Sequence, residues 1–276
     1  MSTGISIHIG LNRVDPNHYH DEGGRPWDGT LAGCENDARD MRALAKKRQF
    51  GQALMLLNEQ ASAQGILAAL AQAAQTLKAG DTLLLTYSGH GGQVPDRNDD
   101  ESDGLDETWC AFDRQIVDDE LYAAWAKFAK GVRILMLSDS CHSGSVSKAP
   151  LIGPVMAAIP GGRVRLAPEE VQAGTYKSHK KLYDAIQKAT PGEAVPIKAT
   201  VVLISGCQDN QLSSDGDGNG LFTATLKKVW RAGRFRGNLR KFHKAIVQQM
   251  PLWQSPNYFV VGAPNAGFEG GKPFEI

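Results

Sequence analysis

The 276-residue chain has only four cysteines, Cys34, Cys110, Cys141 and Cys207, set far apart and without a CxxC pair. That spacing excludes a zinc knuckle and a disulfide framework. An excess of one charge is also missing, since thirty Lys and Arg balance thirty Asp and Glu. No general attraction to nucleic acid or to an anionic membrane is therefore built in. No apolar run approaches the ~20 residues of a spanning helix. Met1 to Gly10 lacks the basic start and long apolar region of a signal peptide. No internal repeat and no linker interrupts the pattern. These absences describe a cytoplasmic protein with reduced thiols and neither a nucleic-acid nor a membrane partner.

What the chain does have is two short apolar runs that end in reactive side chains. Thr82-Leu83-Leu84-Leu85-Thr86-Tyr87 leads into Ser88-Gly89-His90-Gly91-Gly92, and Arg133-Ile134-Leu135-Met136-Leu137 leads into Ser138-Asp139-Ser140-Cys141-His142-Ser143-Gly144. Runs of this length, bounded by small polar residues, read as strands buried on both faces. Further strands are predicted at 5–10, 54–57, 201–205 and 258–261. Helices are predicted at 36–50, 61–78, 118–130, 222–230 and 239–249. Strands alternating with helices give an α/β fold, with a mostly parallel central sheet of about six strands flanked by helices on both faces. Residues 143–198 break the alternation with Pro, Gly, scattered basic residues and one weakly helical stretch near 169–188. They read as an insertion within a single domain spanning 1–276.

Reactive groups just past parallel strands lie where open α/β sheets place their sites. A buried structural thiol is the plain reading of Cys141. Its position in a small polar turn, with His90 at the end of another strand, favours a thiol nucleophile and its base instead. The amides of Gly91 and Cys141 could form an oxyanion hole. His142 is a rival base, the weaker one, because neighbours on an extended segment point apart.

These blocks resemble the caspase-like cysteine peptidases, and among them the metacaspases and their prokaryotic relatives, the orthocaspases. Supporting stretches are Gly33-Cys34-Glu35-Asn36-Asp37-Ala38, Asp103-Gly104-Leu105-Asp106-Glu107, Asp118-Asp119-Glu120-Leu121 and Ile204-Ser205-Gly206-Cys207-Gln208-Asp209. The resemblance implies a caspase-like fold and peptide-bond hydrolysis by a Cys141–His90 dyad, on protein or peptide substrates with Arg or Lys at P1. It places Cys34, Asp37, Ser88 and Asp139 in the S1 pocket, where a desolvated guanidinium needs carboxylate partners. A pocket for Asp would need Arg there. The plain readings of Asp37 and Asp139 are a helix N-terminal residue and a turn former. By the same resemblance the chain is expected to be a monomer, latent until activated, with roles in programmed cell death or antiviral defence. Two alternatives stand beside this one: a catalytically inactive caspase-like interaction module, and a peptide ligase on the same fold.

Residues 96–107 hold seven carboxylates in twelve positions. Such a run is usually a solvated loop, yet Ca²⁺ takes six to eight oxygen ligands. The resemblance implies activating, non-catalytic calcium here, with Asp103, Glu107, Asp118 and Asp119 as candidate ligands. Ala111 departs from the Pro that the family often has. Asp215-Gly216-Asp217-Gly218-Asn219-Gly220 copies the start of an EF-hand loop. It lacks the twelfth-position Glu, having Leu226, and so is rejected as a calcium hand. By resemblance it lies near the active site, with Asp209 and Ser213 shaping substrate binding. The 143–198 insertion carries Lys148, Arg163, Arg165, Lys177, Lys180, Lys181 and Lys188. It is the expected place of activating cleavage, by the chain itself or by an upstream protease.

Overall fold

Alternate residues of the central strands serve two different cores, which is why apolar residues stand on both faces of their sequences. The computed structural model describes residues 2–101, 103–141, 163–207, 214–215 and 218–276. Strands β1 (Gly4–Gly10), β2 (Gln52–Leu57), β3 (Thr82–Ser88), β7 (Arg133–Asp139), β8 (Thr200–Ser205) and β9 (Asn257–Gly262) form one sheet. Their order is β2-β1-β3-β7-β8-β9, parallel throughout except for the antiparallel β8–β9 edge. The sheet matches the expectation of about six strands, mostly parallel.

Leu83, Leu85 and Tyr87 join Ile5, Ile7, Ile134 and Met136 on one face, under α2 (Ala63–Thr76) and α3 (Asp118–Trp125). Leu84, Leu135, Leu137, Val202 and Ile204 point the other way. They pack on α1 (Cys34–Lys47), α6 (Leu221–Trp230) and α7 (Leu239–Val247). Burying each such side chain stabilises the fold by ~1.5–3 kcal/mol. Helix starts are fixed locally: the Ser62 hydroxyl accepts from the Gly65 amide at α2, and Asn238 accepts from the Lys241 amide at α7.

The chain runs from β1 through α1 to β2 on one side, then returns over β1 through α2 to β3. The winding reverses there, and a crevice opens at the carboxyl ends of β1 and β3. The ends are level, with Gly10 opposite Ser88 and Ser88 opposite Asp139. Whatever follows Ser88 and Asp139 is therefore brought together without further folding.

A second sheet of β4 (Gly91–Pro95), β5 (Leu105–Cys110) and β6 (Gln115–Val117) is antiparallel. The Gly-rich and acidic stretches gave no alternation from which to expect it. The described part of the insertion is helical where a weakly helical stretch was expected. Residues 169–188 form two helices, α4 (Glu169–Ser178) and α5 (Lys180–Ala189), broken at His179. Tyr176 and Tyr183 pack with Val94 and Val117 of the small sheet. Gln172 Oε1 accepts the Gln93 amide at 2.7 Å, and Gln187 Nε2 donates to the Pro95 carbonyl at 3.1 Å. Residues 143–162 of the insertion, with Lys148, lie outside the described residues.

Candidate active site

His90 and Cys141 follow β3 and β7 by two residues each, and both are buried. The turn carrying His90 is held from below. Tyr87 Oη donates to the carbonyls of His90 (2.6 Å) and Cys110 (3.1 Å), and its ring stacks on Trp109 with centroids 4.2 Å apart. Trp109 Nε1 donates to Ser138 Oγ at 3.0 Å, and Ser138 meets Ser140 at 2.9 Å, which ties the Cys141 turn to the same base.

The His90 ring has a defined tautomer. Nε2 lies 3.0 Å from the Gly29 carbonyl, which can only accept, so Nε2 carries the proton. Nδ1 is left as the basic nitrogen, buried and without a hydrogen bond among the described residues. Burial lowers the His90 pKa to about 4, against the weaker upward pull of the Gly29 carbonyl. The ring is therefore neutral at pH 7. Trp27 covers it at a centroid distance of 4.7 Å. Gly29 has φ +57°, and a Cβ there would come within 3.2 Å of the His90 ring. Only glycine fits both the backbone and the space.

The segment Arg163 to Ala167, bridged at Val164 and Leu166 and bent at Arg165, lies across this pair. The Arg165 carbonyl accepts two hydrogen bonds, from the Gly91 amide and the Cys141 amide, each at 3.0 Å. These are the two amides singled out as an oxyanion hole. The Ala167 amide donates to the Gly91 carbonyl at 2.9 Å, and Val164 pairs with Ser214 on the other side.

The Arg165 side chain is fully buried. Nη1 lies 2.8 Å from Asp139 Oδ2 and 2.8 Å from Ser88 Oγ. Nη2 lies 2.8 Å from Asp37 Oδ2 and 3.1 Å from Asp215 Oδ1. Cys34 is close enough to feel the guanidinium, although burial pushes its thiol pKa well up. Of the four residues expected to line S1, Asp37, Ser88 and Asp139 thus meet one guanidinium, and Cys34 lies within its electrostatic reach. Burial pushes the Asp37 pKa upward, Arg165 pulls it down, and neighbouring Asp139 pushes it up. Burial works against the Arg165 charge, but Asp139 and its neighbours hold its pKa above the ordinary range.

The carboxylates are fixed independently of Arg165. Asp37 Oδ1 accepts from Asn219 Nδ2 (2.9 Å) and the Gly220 amide (3.1 Å). Asp139 Oδ2 accepts from Thr223 Oγ1 (3.1 Å), and Asp215 from the amides of Ala32 (2.7 Å) and Gly33 (3.0 Å). Most of these donors cluster at the starts of α1 and α6, where helix dipoles favour negative charge. Asp215 and Gly220 were missed as pocket residues because their sequence copies a metal loop. Arg165 is one of eight Lys and Arg residues in the insertion, and nothing local marks it as buried. His142, Asp209 and Ser213 lie outside the described residues.

The acidic loop forms two carboxylate groups, Glu101 with Glu107 and Asp118, and Asp96 with Asp100 and Asp106. Within each, the ligand oxygens lie within 4.8 Å of one another. Asp119 is buried, its Oδ2 accepting from Asn98 Nδ2 and Thr190 Oγ1 at 3.1 Å each. Asp103 is exposed and accepts from the Leu105 amide, in neither group. Among the described residues, no helix is long and apolar enough to cross a membrane.

Comparison with known proteins agrees with this geometry. Residues 18–150 match the model of the metacaspase, peptidase C14 domain. Metacaspase-1 of Arabidopsis thaliana is 34% identical over 217 residues, covering 74% of this chain and 52% of that protein. Metacaspase-1 of Ajellomyces capsulatus is 32% identical over 240 residues, covering 72% of this chain and 67% of that protein. The chain thus spans about half to two thirds of the length of these curated relatives. A crystal structure of a Geobacter sulfurreducens protein is 48% identical and superposes with TM-score 0.87 over 99% of both chains. Caspase-1 of Spodoptera frugiperda is 12% identical and shares the fold, with TM-score 0.55 over 95% of this chain and 86% of that one. With a relative at this identity matched over two thirds of its length, and a catalytic-domain model matched through both strand ends, the chain belongs to the metacaspase family.

Proposed function

We propose that this chain is a cysteine endopeptidase that cleaves peptide bonds after arginine, with Cys141 as nucleophile and His90 as its base. One observation carries the reading: an Arg side chain fills the pocket of Asp37, Ser88, Asp139 and Asp215 while its own carbonyl takes the Gly91 and Cys141 amides. His90 Nδ1 takes the thiol proton, and Cys141 Sγ attacks the carbonyl carbon. The two amides hold the developing oxyanion. His90 then returns the proton to the departing amine, and water hydrolyses the thioester.

The pocket favours Arg over Lys, which sharpens the wider expectation of either residue at P1. Its acceptors are divided between two nitrogens, so a single ammonium cannot reach Asp139 and Asp37 as a guanidinium fork does. Losing one charge-assisted hydrogen bond costs about 1.5–3 kcal/mol, or ~10–100-fold. Fluorogenic peptides ending in Arg, Lys and Asp test this, assayed on the Arg165→Ala chain so that the pocket is vacated. We expect Arg to exceed Lys by at least tenfold, and Asp to be inert. Cleavage after Asp, or activity that survives Cys141→Ala, overturns the reading.

Calcium binding at the acidic loop forms part of the same reading. The donor set suits a hard cation: Asp106 Oδ2 and Asp119 Oδ1 are buried without a hydrogen bond among the described residues. Burial, followed by the charge of neighbouring acids, raises the pKa of Asp106 to about 8 and that of Glu101 to about 7. Glu101, Glu107 and Asp118, or Asp96, Asp100 and Asp106, would hold the ion, and its charge would relieve the repulsion among them. A ligand at 100 times its Kd stabilises by ~2.7 kcal/mol. We expect millimolar Ca²⁺ to raise the melting temperature by several degrees and Asp106→Asn with Asp118→Asn to abolish the rise. An unchanged melting curve across the calcium range removes this part of the reading.

A further inference from the structure

We infer that the α3 face of the central sheet carries a second binding site, for a small amphiphilic cation with an apolar body and one ammonium head. A cavity of about 380 Å³ lies there, a volume typical of small-molecule pockets. Strand register builds its floor. Met136 of β7 pairs with Leu203 of β8, which pairs with Phe259 of β9, and Val201 pairs with Val261. Paired residues point the same way and residues two apart share a face, so these five form one apolar plane. Leu121 and Trp125 of α3 wall it, and β5 adds Trp109. The plane is covered only in part. Met136 and Val201 are buried, Leu203 and Val261 are half-buried, and Phe259 on the edge strand is 45% exposed. An apolar ligand seated here removes that remaining surface from water.

The cavity also selects charge. Glu101, Glu107, Asp118 and Glu193 line it, all half-buried, and no lysine or arginine is among its lining residues. Gln93 Nε2 donates to Glu107 Oε1 at 3.1 Å, and Tyr122, itself a wall residue, hydrogen-bonds Glu193, so the acids are held in position. A carboxylate ligand meets like charge here, whereas an ammonium meets opposite charge in a partly desolvated site, where attraction is stronger than in water. A polyamine, charged along its length, would set charge on the apolar plane. Calcium takes oxygen ligands alone and leaves that plane bare. Glu101, Glu107 and Asp118 serve both readings, so the two cations exclude one another, while Glu193 belongs to neither carboxylate group assigned to calcium.

The floor ends beneath the catalytic turn. Ser138 and Ser205, paired in register two residues beyond Met136 and Leu203, also line the cavity. Ser138 Oγ accepts from Trp109 Nε1 and meets Ser140 Oγ. Ser205 Oγ donates to the Cys207 carbonyl at 2.9 Å, and Cys207 Sγ donates to the Ser140 carbonyl at 3.4 Å. A ligand on this floor thus touches the two serines that support the turn leading to Cys141, and it lies against two tryptophans that report its arrival.

Titrating the full chain with octylammonium tests this, read by tryptophan fluorescence and thermal melting, with octanol and octanoate as controls of the same length. We expect octylammonium to change the fluorescence saturably and to raise the melting temperature. It should bind at least about tenfold more tightly than octanol, and octanoate should not bind. Val261→Phe, which adds bulk to the floor on the edge strand, should weaken octylammonium and octanol alike. Glu193→Gln should weaken octylammonium alone and leave any stabilisation by Ca²⁺ in place. Saturating Ca²⁺ should raise the apparent Kd of octylammonium. Equal binding of all three probes overturns the ammonium assignment. A signal that never saturates, with a falling melting temperature, is detergent action and overturns the site. Stabilisation by Ca²⁺ without any octylammonium binding removes this inference and leaves the calcium reading standing. A chain that elutes as a dimer and binds the probe only on dilution has a second copy on the plane, which also overturns it.

Discussion

Replacing Asp139 with Asn should lower kcat/KM for Arg-ending peptides by about 10²–10³-fold, because breaking a buried ion pair costs ~3–5 kcal/mol. Asp139 is buried and meets the guanidinium at 2.8 Å, so water cannot take over its role. Asn keeps an oxygen for the Thr223 hydroxyl and amide, which hold Oδ2 at 3.1 and 3.3 Å. The substitution therefore removes charge and leaves the turn intact. Asp37→Asn should behave in the same way, and Asp215→Asn more mildly, since its oxygen stands farther off at 3.1 Å. The assay belongs in the Arg165→Ala background, where only the substrate's Arg is read. Alkylation of Cys141 by iodoacetamide should be unaffected, because the thiol lies outside the pocket. An Asp139→Asn chain with unchanged kcat/KM would show that the carboxylate is merely a turn former.

The sequence made part of this site visible and hid the rest for reasons that can be named. His90, Gly91 and Cys141 were legible because a parallel strand announces its own carboxyl end, and the reacting groups follow directly. Ser88 and Asp139 ride on the same strand ends, but on residue type alone they pass for turn residues. Their pairing with Asp37 came through resemblance. Asp215 and Arg165 could not be read at all. Asp215 reaches the pocket through the amides of Ala32 and Gly33, 183 and 182 positions away. Arg165 is identified by burial, which depends on every wall of the pocket at once. The central sheet was legible because its middle strands are short runs with apolar residues on both faces. The small sheet was not, because β4 begins with two glycines and β5 follows the acidic loop. The insertion looked weakly helical because much of its burial comes from Tyr176 and Tyr183 against that unforeseen sheet. Local sequence thus placed the nucleophile and base, and long-range contacts placed the specificity.

Gly220→Ala should sharply lower hydrolysis of Arg peptides while every charge in the pocket stays in place. A Cβ built on Gly220 lies 2.5 Å from Arg165 Cζ and from both terminal nitrogens, well inside contact distance. The guanidinium cannot yield, because its four partners surround it at 2.8–3.1 Å. The backbone accepts the change, since Gly220 has φ −59° and ψ 152°, open to any L-residue. In the Arg165→Ala background, where the clash with the chain's own guanidinium is removed, the fold should therefore persist with a melting temperature within a few degrees of the Arg165→Ala chain. The loss for Arg substrates should be about 10–10²-fold, since overpacking a rigid site costs ~1–3 kcal/mol. Lys, with a slimmer end, should lose less, so the Arg-to-Lys ratio should fall. Charge removal at Asp139 and bulk addition at Gly220 thus strike the same pocket through unrelated forces. If Gly220→Ala cleaves Arg peptides at the wild-type rate, the guanidinium does not sit where Arg165 sits, whatever the carboxylates contribute.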